Sequence, residues 1–253
     1  NETHGAPILP TPAIGGLGVL DDAASSVGFA AAPGHDLVLI GGDPGHLGQS
    51  LWLREIAGRY PQSRSALLPM LHLVQSADGY VTPRGIEACA AILDLTAAEV
   101  AAVATFYTMY KRRPVGEYHV GVCTNTLCAV MGGDAMLERL HEHLGIGNYE
   151  TTSDGLVSLE HVECNAACDY APVVMVNWEF FDNQTPESAK QIVDDLRAGK
   201  DITPTRGAAK VCTLKEVSRI LAGFTDGRAG EGIAAGPASL VGLELAKQRG
   251  DSA

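Results

Sequence analysis

No C-x-x-C motif occurs anywhere in this chain, so it carries no redox dithiol of the usual kind. None of its glycines completes G-x-G-x-x-G or G-x-x-x-x-G-K-S/T, which leaves no loop of known form to cradle a dinucleotide or a nucleoside triphosphate. Positive charge is short as well. Eighteen Lys and Arg stand against thirty Asp and Glu, a net charge of −12, the wrong sign for a phosphate-binding surface. Nucleic acid is therefore excluded as a partner. Long apolar runs are missing too: the best stretch, 97–107, is broken by Glu99, so no direct membrane span is expected. The first residues are polar and rich in Pro and Gly, without a basic flank and apolar core. No secretory leader is expected from them, and hence no oxidising compartment in which disulfides would form.

What the chain does have is six cysteines, four of them in two close pairs. Cys123 and Cys128 form C-x₄-C, Cys164 and Cys168 form C-x₃-C, and 35 residues of βαβ-like sequence separate the pairs. A free cysteine is commonly a small buried hydrophobe. Cys89, in an apolar helical stretch, reads that way, and Cys212 reads as an uninvolved thiol. The four paired residues instead sit at element edges beside small residues, where a metal centre can be clasped between two loops. Structural zinc usually shows C-x₂₋₄-C pairs, and the first pair fits only at the limit of that range. An iron–sulfur cluster is the better choice. The spacing is neither the bacterial [4Fe–4S] run nor the plant-type pattern, so a [2Fe–2S] site of another kind is expected, with zinc left as the alternative.

At 253 residues and 46% hydrophobic, the chain can hold one large or two small domains. Residues 1–46 read as an extended Gly/Pro/Ala-rich arm with one strand-like run, Leu37–Ile40. Residues 47–113 read as a small helical bundle. Leu67, Leu68, Leu71 and Val74 recur at helical spacing up to Asp78-Gly79, Thr82-Pro83 starts the next helix, and Thr96-x-x-Glu99 is a capping box. The aromatic patch Phe106-Tyr107 with Met109-Tyr110 reads as core packing, with a partner-facing surface as the alternative. Residues 114–200 read as β-α-β-β-β-α. Tyr118, Val120 and Val122 alternate along a strand that delivers Cys123 to its end, with Cys128 in the loop ahead of a helix carrying Met136, Leu137, Leu140 and Leu144. A strand over 159–163 ends at Cys164, Pro172–Val176 is a buried strand, and Trp178–Phe181 returns antiparallel across a turn near Asn177. Thr185-Pro186-Glu187 opens the last helix. Both cysteine pairs then follow the C-terminal ends of neighbouring parallel strands, the usual ligand rim of an open α/β sheet. His141 and His143 read as solvated and His161 as structural. Residues 201–253 form a C-terminal extension with a short helix opened by Thr213-x-x-Glu216. It has too little apolar surface to hold itself in place and is expected to order against a neighbouring subunit, with a disordered extension as the alternative.

Leu71-His-Leu-Val-Gln75, Val103-Ala-Thr-Phe-Tyr107, Pro114-Val-Gly, Val122-Cys-Thr-Asn-Thr126, Val162-Glu-Cys164 and Ala171-Pro172-Val are the residues of a known pattern. The chain resembles the thioredoxin-like [2Fe–2S] ferredoxin subunit of respiratory NADH:quinone oxidoreductase (complex I), the E subunit in bacterial naming, over roughly residues 47–200. The resemblance implies an α/β fold: an N-terminal helical bundle, then a thioredoxin-like [2Fe–2S] domain, with extended arms. It implies that Cys123, Cys128, Cys164 and Cys168 ligate one cluster. Hydride would be taken by FMN in a neighbouring flavin- and NADH-binding subunit, so this chain alone would not be an active enzyme. Other peripheral-arm subunits are the further partners, and the location implied is the cytoplasmic face of the inner (plasma) membrane. Similar domains serve NAD-dependent hydrogenases and formate dehydrogenases, which would change the parent enzyme but not the chemistry of this subunit. Two departures stand out. Ala166 and Asp169 occupy positions where such proteins usually carry glycine, so a stiffer loop and an added negative charge are expected beside the cluster.

Overall fold

The computed structural model describes residues 51–251 and two short strands, β1 (Glu2–Thr3) and β2 (Ala6–Pro7), paired antiparallel. The strand expected at Leu37–Ile40 lies outside the described residues. The described residues 51–251 form one compact unit.

Within that unit the first described helices are α1 (Leu51–Gly58), α2 (Leu67–Asp78), α3 (Pro83–Leu93) and α4 (Ala97–Phe106). Their boundaries follow from local chemistry. Gly79 closes α2 in the left-handed region at φ 82°, where a Cβ would be penalised. Thr82 caps α3 by accepting from the Gly85 N–H, and Thr96 with Glu99 closes a reciprocal capping box on α4. Leu53, Ile56, Met70, Leu71, Val74 and Val100 are fully buried together, each contributing about 1.5–3 kcal/mol over an exposed position. Tyr110 joins that core, but Phe106 and Tyr107 are 78% and 45% exposed. The core assignment thus holds for Tyr110 and fails for those two, because α4 ends at Phe106 and the chain turns outward.

The sheet runs β4-β5-β3-β6-β7. Its strands are β3 (Tyr118–Cys123), β4 (Glu150–Thr151), β5 (Val157–Val162), β6 (Val174–Val176) and β7 (Glu179–Phe181). Strands β3 and β5 are parallel, with Cys123 opposite Val162, and β6 pairs antiparallel to β3. The short β4 has no counterpart in the sequence reading. Asn177 and Trp178 turn β6 into β7 with φ of 47° and 73°, the two positive values that a tight hairpin turn with strand-matched twist demands. Asn177 is fully buried and fixes that turn: its Oδ1 accepts from the His119 N–H, and its Nδ2 donates to the carbonyls of Glu117 and Cys212.

Because side chains alternate along a strand, the sheet sorts its residues. Val120, Val122, Val157, Leu159, Val174 and Val176 face α6 (Gly133–Leu144) and α7 (Pro186–Arg197), burying Met136, Leu140, Ala189, Val193 and Leu196. His119, Cys123, Ser158 and Glu160 alternate with that set. The tail behaves differently from its sequence. Helix α8 (Leu214–Leu221) packs along α2, with Leu214 and Ser218 buried and Leu221 exposed. Gln75, itself fully buried, donates to Ser218 Oγ and the Met109 carbonyl and accepts from the Lys111 N–H. A surface far upstream in the chain thus supplies what the extension lacks by itself. The last helix, α9 (Pro237–Arg249), buries none of its own residues.

Candidate metal centre

Cys123 is the last residue of β3, and Cys128 lies inside a short helix, α5 (Thr126–Val130), rather than in a plain loop. Both are buried, at 2% and 3% exposure, among Ala167, Ala171, Val173 and Met175. Asn125 makes the local fold: its side chain accepts from the Thr126 N–H to start α5 and donates to Glu163 Oε2 at 3.0 Å, tying the first cysteine loop to the second. Gly133 lies directly beneath. A Cβ there would come within 2.5 Å of the Cys123 carbonyl and 2.9 Å of that of Cys128, so only glycine lets α6 start this close.

Cys164 lies two residues past β5, and Cys168 opens a short 3-10 turn, Cys168–Tyr170. Both are exposed, with their sulfurs 3.6 Å apart. Ala166, between them, is at φ 54°. That left-handed conformation explains why a glycine suits the position, and it makes alanine there strained. The Ala166 N–H donates to Cys164 Sγ at 3.3 Å.

All four thiols are free and act on one another. Burial, then the hydrogen bond with Cys123, pushes Cys128 up to about 11, and the charge of Cys168 adds to the rise. The hydrogen bond with Cys164 raises Cys168, with Cys123 adding to it. Four thiolates cannot share this space unless a cation offsets their charge. Among the described residues no three His, Cys, Asp or Glu side chains close around a single point as one metal ion needs. Four cysteine thiols are a donor set that suits an iron–sulfur cluster.

The remaining candidates fall outside this group. Cys89 is fully buried in the helical core, where burial pushes its thiol up to about 12. Cys212 accepts from the Arg228 guanidinium. His143 pairs with Asp194 at 2.5 Å, His141 contacts Asn148, and His161 meets the Tyr149 hydroxyl. The sequence reading missed one charged group. Glu160 Oε2 takes Lys111 Nζ at 2.6 Å and His119 Nε2 at 2.7 Å, with all three side chains at most 12% exposed. Burial would raise the Glu160 carboxyl, but the His119 hydrogen bond and the Lys111 charge outweigh it and hold the carboxyl down to about 2. Burial lowers His119.

The sequence profile of the thioredoxin-like [2Fe–2S] ferredoxins matches residues 53–197. The chain belongs to that family. Over 196 residues it is 65% identical to the NADH-quinone oxidoreductase E subunit of Mycobacterium tuberculosis, covering 77% of each chain. It is 39% identical over 152 residues to subunit 2 of the Thermus thermophilus NADH-quinone oxidoreductase, covering 59% of this chain and 84% of that one. The corresponding E subunit of Rickettsia bellii is 41% identical over 146 residues, covering 56% and 87%. One [2Fe–2S] cluster is the cofactor of this family. Among the described residues no single helix is long and apolar enough to cross a membrane.

Proposed function

We propose that this chain is the electron-carrying [2Fe–2S] subunit of a proton-pumping NADH:quinone oxidoreductase, with Cys123, Cys128, Cys164 and Cys168 as the four ligands. The observation that carries the reading is 65% identity to the E subunit of such a complex over 77% of each chain, and free cysteines following two neighbouring parallel strands support it. A thiolate-held [2Fe–2S] centre supplies one-electron exchange, and its negative charge grows on reduction. The residues around it serve that purpose. The Ala166 N–H points at the Cys164 sulfur, where a donor favours added negative charge. Cys123 and Cys128 close one side against water, while Cys164 and Cys168 leave the other open to a partner. FMN and NADH belong to the neighbouring flavin-bearing subunit, consistent with a sequence that holds no dinucleotide loop. The chain sits with other peripheral-arm subunits on the cytoplasmic face of the inner (plasma) membrane.

Iron and labile-sulfide analysis tests this directly, with about two of each expected per chain for this cluster type and a paramagnetic signal from one unpaired electron on reduction. A colourless preparation with stoichiometric zinc from iron-replete cells would refute it. Pull-down from the native cell should bring down the flavin-bearing subunit of the quinone-reducing complex; a hydrogenase or formate dehydrogenase subunit in its place would reassign the parent enzyme. Calorimetry on the chain alone should find no tight NADH binding.

A further inference from the structure

The C-terminal segment reaches the second cysteine loop. Gly236, just ahead of α9, is buried against Tyr170: a Cβ there would come within 2.2 Å of the Tyr170 hydroxyl. Three residues on, the Ser239 hydroxyl donates to Asp169 Oδ2. The segment is also anchored upstream. Arg206 lies 4.2 Å over the Phe180 ring and 5.2 Å over the Tyr170 ring and pairs with half-buried Asp182 at 3.1 Å. The Gly207 N–H donates to the Ile233 carbonyl, and the Ala209 N–H to Glu231. Residues 206–239 thus grip the 168–170 turn at two points. Asp169 is exposed and follows Cys168 directly. An exposed carboxylate left to itself turns into water, where solvent and salt screen its field. Here a hydroxyl from α9 holds it.

We propose that Ser239 is a positioning residue for one-electron transfer: it pins the Asp169 carboxylate beside Cys168 and so keeps the reduction potential of the cluster low. A fixed negative charge disfavours the more negative, reduced state. The proposal rests on the cluster assignment above. The test is a redox titration, followed by absorption and paramagnetic resonance, of the full cluster-loaded chain at fixed pH and ionic strength. Ser239→Ala should raise the reduced-to-oxidised ratio about threefold at a given potential, an upward shift of ~28 mV at ~59 mV per tenfold. Asp169→Asn should shift it upward at least as far. Ser239→Thr, which keeps the hydroxyl, should restore the parent value, and Ser239→Ala added to Asp169→Asn should shift nothing more. An unchanged or lowered potential in Ser239→Ala, with iron content and circular dichroism intact, would overturn the proposal. Iron-free protein in every variant would instead overturn the cluster assignment, and the proposal with it.

Discussion

The two cysteine pairs occupy similar places, each starting at or just past the C-terminal end of one of two neighbouring parallel strands, yet their surroundings are opposite. Cys123 and Cys128 are packed into the sheet rim, enclosed by α5 and seated on the bare backbone of Gly133. Cys164 and Cys168 stand in the open on a turn with a strained alanine, steadied from outside by the C-terminal segment. The lesson is a division of work. The first loop is part of the core and positions its sulfurs by packing. The second is a surface element that owes its geometry to hydrogen bonds and to residues far along the chain.

The largest expected effect would erase the common role of the pairs while keeping their difference. Alanine at any one of the four cysteines should abolish the visible absorption of the cluster, whereas Cys89→Ala and Cys212→Ala should leave it intact. In cluster-free protein the pairs should separate. Cys123→Ala should lower unfolding stability by about 1 kcal/mol through lost packing, and Cys164→Ala should stay within ~0.5 kcal/mol of the parent, both read by denaturant titration.

The next prediction concerns the ground on which both strands stand. Glu160→Gln strands the buried Lys111 ammonium, at a cost of about 3–5 kcal/mol. The same network fixes the acid response. The folded-state pKa values of His119 and Glu160 both lie below their unfolded values. The unfolded chain therefore binds more protons as pH falls, and stability declines. The loss should begin below about pH 6.5, where unfolded histidine charges. His72, which burial lowers to about 4, contributes to the same limb. A second limb should follow between about 4.5 and 2 as the Glu160 carboxylate takes its proton. Unfolding free energy measured against pH should show both limbs, and Glu160→Gln should flatten the second.

Two smaller changes probe the loops themselves. Gly133→Ala forces a Cβ against two carbonyls and should cost about 1–3 kcal/mol, with faster cluster loss to a chelator. Ala166→Gly relieves the left-handed strain, but it also frees the unfolded chain. The net gain should be under ~1 kcal/mol, seen as a small rise in the denaturation midpoint. If Gly133→Ala were silent and Ala166→Gly the more consequential, the contrast between a packed and a tethered loop would collapse.

Much of this architecture was legible beforehand because its causes are local. Gly79, Thr82-Pro83, Thr96-x-x-Glu99 and Thr185-Pro186 end or start helices where they stand in the sequence. The alternation of Val120 and Val122 likewise placed Cys123 at a strand end. Spacing and motif singled out the four cysteines. The pairing of Gln75 with Ser218, the clasp of Asn125 on Glu163 and the burial of Lys111 with Glu160 and His119 were not legible, because the partners lie 38 to 143 residues apart. The outward turn of Phe106 and Tyr107 was missed for a related reason, since hydrophobicity alone does not say which way a chain leaves a helix.

By itself the sequence determined most of the elements and their order and singled out four cysteines, because capping, periodicity and spacing operate within a few residues. Tertiary structure alone decided which pair is buried and where the C-terminal segment lies. Those outcomes depend on surfaces that meet only once the chain has closed on itself, and neither partner carries a local mark of the other.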